Sequence, residues 1–147
     1  MKKIKSFFVF LILFLALFLY FINQNPHSHS ANSENTHDHI IIPESYPIPS
    51  IKVLVTQDHS DTWLLKIKTN NFQFAPEKVG VNLPSYNEGH AHLYINEKKI
   101  NRLYGKYYNL GTLKEGQNKI KVSLHSNNHG ALVHSGEKIE DSTTIDN

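Results

Sequence analysis

Cysteine is absent from all 147 residues, which excludes disulfides, thiolate metal sites, Fe–S clusters, blue-copper centres, cysteine nucleophiles and a lipidated-cysteine anchor. Methionine occurs once, at Met1, so a thioether copper ligand is excluded too. A cationic stripe is also missing. Lys2, Lys3 and Lys5 precede the first acid, leaving 12 Lys and Arg against 13 Asp and Glu in the remainder. A near-neutral body without clustered cations argues against a nucleic-acid partner, which needs several phosphate-neutralising charges on one face. Gly-x-Ser-x-Gly, phosphate-cradling glycine loops and His-Glu-x-x-His are absent, and no nucleophile stands out, so the sequence does not point to an enzyme. Histidine, by contrast, occurs ten times. It carries whatever soft chemistry the chain has.

The length allows one small domain and a terminal appendage. Lysines at 2, 3 and 5 followed by an apolar run over residues 7–22 give the basic-then-hydrophobic order of an export signal held with its basic end in the cytoplasm. Counted from Ile4, the segment would be roughly 28 Å long as a helix, close to a hydrocarbon core of about 30 Å. No small-x-small site follows closely. Residues 1–22 are therefore expected to be a signal anchor and single transmembrane helix, with the domain on the extracytoplasmic or periplasmic side of the cell (inner) membrane. Late cleavage near Ser30 or Ala31 is the competing reading.

Residues 23–49 are rich in Asn, Ser, His and Pro, and Pro26, Pro43, Pro47 and Pro49 break regular structure, so a disordered tether is expected. It holds two His-x-His pairs, His27/His29 and His37/His39. His-rich tracts can capture metal loosely, although a flexible segment loses conformational freedom in converging on an ion.

From residue 50 the pattern has period two: Ile51, Val53, Val55; Trp63, Leu65, Ile67; Phe72, Phe74 and then Val79, Val81 around Pro76; Ala91, Leu93, Ile95. A turn over 96–99 reads as a hairpin, residues 100–104 return, and residues 107–110 precede a final face of Ile120, Val122 and Leu124. About seven short strands predict an all-β, antiparallel β-sandwich over residues 50–145, cupredoxin-like or immunoglobulin-like, with residues 131–145 adding one strand that frays.

In EGHAHLYIN (residues 88–96), Ala91, Leu93 and Ile95 face the core, so His90, His92 and Tyr94 project from the opposite face. Two imidazoles side by side can reach one ion at about 2.0–2.1 Å. A third ligand is sought in LHSNNHGALVH (residues 124–134). His129, in a Gly-flanked loop, is the first choice, with His125 and His134 as further candidates. His59, between two aspartates, reads as a solvated turn residue. His-x-His on a strand also occurs in proteins that bind nothing, so the pair alone does not fix a site. Tyr104, Tyr107 and Tyr108 around Arg102 could form a recognition surface or pack a sandwich edge.

FQFAPEKVGV (residues 72–81) resembles the F-x-F-x-P-x-x-V-x-V opening strand of cupredoxins. EGHAHLYIN, RLYG, LKEGQNKIKVSL and NNH resemble segments of a small family of exported cupredoxin-like domains, a match covering residues 71–139. The resemblance implies an immunoglobulin-like sandwich in the bacterial envelope with a copper-related role. Within it, His90 and His92 match the G-H-A-H motif and Asn128-His129 the N-[DN]-H motif. Lacking the cysteine and ligand methionine of blue-copper proteins, this chain is left with binding, storage or delivery of an ion, copper or else zinc. The alternative is an interaction module of the cell envelope with an unspecified protein partner and incidental histidines. Metal stoichiometry separates the two.

Overall fold

An alternating stretch can bury one face and wet the other only as a strand, and the body of the chain is built this way. The computed structural model describes residues 2–24 and 39–147. It divides into two units, Met1–Asn35 and Thr36–Asn147. The second unit contains β1 (Ile40–Ile41), β2 (Ser50–Gln57), β3 (Trp63–Asn70), β4 (Gln73–Phe74), β5 (Glu88–Ile95), β6 (Lys98–Leu103), β7 (Tyr107–Gly111), β8 (Gln117–Ser126), β9 (Leu132–His134), β10 (Glu137–Lys138) and β11 (Glu140–Asp146).

Three sheets form: β2-β3-β7; β11-β8-β5-β4 with β6 also paired to β5; and β1-β9-β10. Val53, Leu65 and Ile67 from the first, Ala91, Leu93, Ile120, Val122 and Leu124 from the second, and Ile42 and Leu132 beside the third join one buried core. Each Val, Leu or Ile among them, fully buried, contributes about 1.5–3 kcal/mol. Asp141 of β11 joins the sheets along an edge, accepting from the Val53 amide at 2.7 Å.

Four expectations are corrected. The pairing is mixed, since β4 runs parallel to β5 and β1 parallel to β9. The ordered body reaches back before residue 50: Ile42 is buried, and the Ile40 and Ile42 amides donate to the carbonyls of Ala131 and Val133. Pro76 starts a single 3₁₀ turn, Pro76–Lys78, that leaves Val79 and Val81 exposed. Finally, β11 does not fray; it pairs with β8 from Glu140↔Ser123 to Asp146↔Gln117.

The first unit is helix α1 (Lys2–Gln24). Among the described residues no helix is long and apolar enough to cross a membrane. The expected span falls partly outside the description, which omits the side chains at 2–4, 6, 9 and 22–24. The remainder of the tether, residues 25–38, with His27, His29 and His37, also lies outside the described residues, and His39 is exposed.

Candidate metal centre

The pairing of β5 with β8 sets the site. His90 lies directly opposite His125, and His92 opposite Ser123. Alternation turns Ala91 and Leu93 into the core and sends the histidines to the other face, as expected. That face is nevertheless covered, with His90, His92 and His125 only 2%, 3% and 6% exposed. The His92 and His125 rings stack at 3.6 Å between centroids. His90 stands 4.9 Å from His92, 5.7 Å from His125 and 5.1 Å from His129. Four imidazoles thus gather where the sequence pointed to three. His134, on β9 opposite Glu137, has no ring contact with them among the described residues, and His59 is exposed in its turn.

Hydrogen bonds fix the roles of the ring nitrogens. A carbonyl can only accept, so His125 Nδ1–H donates to the His129 carbonyl at 3.1 Å, while His125 Nε2 shares a hydrogen bond with Ser123 Oγ at 3.0 Å. Anchoring of one ring nitrogen to a backbone carbonyl is how ligating histidines are usually oriented. The Lys99 ammonium donates to His92 Nε2 at 3.3 Å. His92 Nε2 is therefore an acceptor, and His90 Nε2–H donates to it at 3.1 Å. Burial holds His90 down to about 3 and His92 further below the ordinary imidazole range, helped by His125 and by the charges of Lys99 and Arg102. Both rings are neutral at pH 7, the form that ligates metal.

The turn after β8 brings in the fourth ring. His129 N donates to the Ser126 carbonyl at 3.0 Å, and His129 takes φ of 73°. That left-handed conformation costs a non-glycine residue of order 1–3 kcal/mol. A polar network ties the turn down. Ser85 N donates to Ser126 Oγ at 2.7 Å, Asn127 N to Ser85 Oγ at 3.1 Å, and Asn127 Nδ2 to Glu88 Oε1 at 3.2 Å, while Lys78 Nζ holds the same carboxylate at 2.6 Å.

Sequence reasoning missed Lys99 and Ser123, and it placed Tyr104 and Arg102 on a tyrosine surface. Tyr104 packs on His90 at 5.5 Å. The cause for the cations is a bulge. In β5–β6, Leu93 pairs with Asn101 but Tyr94 pairs with Lys99, so Ile100 is skipped. The skip puts Lys99 and Arg102, three apart, on one face with His92; a regular strand would send them to opposite faces. The hairpin turn itself, with φ of 51° and 63° at Asn96 and Glu97, was legible. Of the other tyrosines, Tyr108 OH accepts from Asn101 at 3.2 Å and Tyr107 lies under Lys66.

As they stand, the rings stack and do not point at a common centre, and among the described residues no group of three or more His, Asp or Glu side chains is disposed to hold a metal ion. A concavity of about 700 Å³ lies elsewhere, lined by Tyr46, Phe72, Pro84, Ser85, Tyr86 and Glu88 among others. No family model, curated protein or solved structure matches this chain.

Proposed function

We propose that the protein is an exported metal-binding domain, with copper the preferred ion and zinc the weaker one, that binds, stores or delivers the metal through His90, His92, His125 and His129. The observation that carries this reading is the gathering of three buried imidazoles on two paired strands with a fourth, half-buried one on the following turn. Burying polar rings in place of apolar ones contributes little to stability, and His129 adds backbone strain. A ligand would repay both. Reaching one ion at about 2.0–2.1 Å requires the rings to turn out of the stack about χ1 and χ2. Imidazole ligands favour Cu(II) over Zn(II). The body is read as a cupredoxin-like or immunoglobulin-like sandwich. Export is supported by the basic start and by α1, whose Phe7, Phe8, Phe10, Leu13, Phe14 and Leu17 are all exposed, a surface suited to lipid. On this reading the domain works on the extracytoplasmic side of the membrane.

Calorimetry with Cu(II), read together with nitrogen hyperfine structure in the electron paramagnetic resonance spectrum, tests it. One ion per chain is expected. His90→Ala and His92→Ala each lose most of the affinity, His129→Ala weakens it, and His59→Ala changes nothing. Parent-like binding by the His90→Ala/His92→Ala double variant overturns the reading. A second reading, an envelope interaction module, is favoured by the open groove beside Tyr46 and Tyr86, whose rings lie 4.6 Å apart; it gains if no metal binds at micromolar levels.

A further inference from the structure

The concavity of about 700 Å³ is lined by none of the four clustered histidines. Three segments meet there, residues 46–47, 71–73 and 84–88, and side-chain amides lock them together. Asn87 Nδ2 donates to the Pro47 carbonyl at 2.7 Å and to the Asn71 carbonyl at 2.6 Å, while Asn71 Nδ2 donates to the Ile48 carbonyl at 3.0 Å. Gln73 N donates to the Asn87 carbonyl at 2.9 Å. The groove is thus formed before any ligand arrives, which removes an ordering cost from binding. Its volume falls within the range of about 300–1,000 Å³ usual for small-molecule sites.

The lining narrows the ligand. The Tyr46 and Tyr86 rings, 4.6 Å apart and tilted by 54°, make an aromatic wall, and Tyr46 remains 45% exposed. Tyrosines offer a large, rigid, amphipathic contact at low conformational cost. Polar groups are left over once the walls are locked: among the described residues Asn71 Oδ1, Asn87 Oδ1, the Gln73 side-chain amide and both tyrosine hydroxyls have no hydrogen-bond partner. No Lys, Arg or His lines the groove, and its one carboxylate, Glu88, is taken by Lys78 and Asn127. An anion finds no cation there, and a cation meets a carboxylate already balanced. Ring faces beside unspent amides and hydroxyls suit an uncharged molecule with apolar C–H faces bordered by hydroxyl groups.

We propose that this groove binds a neutral saccharide, one sugar ring packing its C–H face on the Tyr46–Tyr86 wall while its hydroxyls bond to Gln73, Asn71 and Asn87. A proline-rich peptide would use the same rings, but without an N–H at each proline it leaves the Asn71 and Asn87 acceptors unpaired. The inference goes beyond the metal-binding reading and shares no residue with it.

The probes are maltotriose, cellotriose and the trimer of N-acetylglucosamine, titrated by calorimetry into the full-length chain in phosphocholine micelles, a detergent without sugar. Saturable binding of at least one is expected. Tyr46→Ala and Gln73→Ala, both at exposed positions, should each weaken it tenfold or more. Tyr107→Ala, which removes an exposed tyrosine on β7, should leave it unchanged. Retention on amylose, cellulose or chitin, released by the matching trisaccharide, identifies a polymer as the source; trisaccharide binding without retention identifies a free sugar. If no trisaccharide binds at millimolar concentration, or if Tyr46→Ala and Gln73→Ala bind as the parent does, the proposal is overturned. Saturation by an uncharged proline-rich peptide in place of any sugar overturns it equally. Copper titration of the same samples judges the metal reading separately, and either result can fail without the other.

Discussion

His90 and His92 are buried as neutral rings, and the cost of that choice is set by acid. In the fold His90 takes a proton only near 3, and His92 lower still; in the unfolded chain both take one near 6.5. Above about 6.5 neither state is protonated and the rings do not bias folding. As the pH falls below that value the unfolded chain binds protons that the fold refuses, so stability drops progressively toward pH 3. Urea midpoints of the metal-free protein should fall between pH 7 and pH 4.5, and His90→Phe should fall less steeply over the same interval. A midpoint that is flat in the parent, or a slope that His90→Phe leaves unchanged, would contradict the burial of neutral imidazoles. The carboxylates that titrate lower, such as Glu97 held to about 2 by Lys121 and Lys119, contribute little to this window.

Between the elements, the site depends on how closely β5 lies against β8. Gly89 pairs with Ser126, and a Cβ built on it would collide with the His125 carbonyl oxygen; its φ of 153° is also one that side chains resist. Gly89→Ala must either part the two strands or bend one, and the His90–His125 pairing goes with it. The expected cost exceeds about 2 kcal/mol by urea denaturation, with loss of copper affinity; unchanged stability would show that the close approach is not required. This is where the sequence was only partly readable. His-x-His on a strand and its parity against Ala91 and Leu93 are local, so they could be read directly. The bulge at Ile100 depends on the pairing register, which no local pattern contains, and it decides which cations face the cluster. The full extent of β11 escaped for another reason. Its inward positions Asp141 and Thr143 are polar and only Ile145 is apolar, so its alternation of burial carries no alternation of hydropathy. β1 spans two residues, too short for a period to show.

At the scale of the whole molecule, a basic, then apolar N-terminal segment precedes a β body that carries His90, His92 and His125 on a buried strand face. If α1 holds the protein at the membrane, the full-length chain should sediment with membranes and resist alkaline carbonate extraction. Recovery as a soluble extracytoplasmic protein beginning near Ser30 or Ala31 would contradict anchoring while leaving export intact. At the site, the proposed metal binding requires the four clustered rings to turn inward onto one ion. X-ray absorption on the copper-loaded protein counts imidazoles directly, through the multiple scattering of their rings. Three or four histidine nitrogens at about 2.0–2.1 Å are expected, falling by one in His129→Ala. A first shell of oxygen with at most one imidazole, unchanged in that variant, would contradict it.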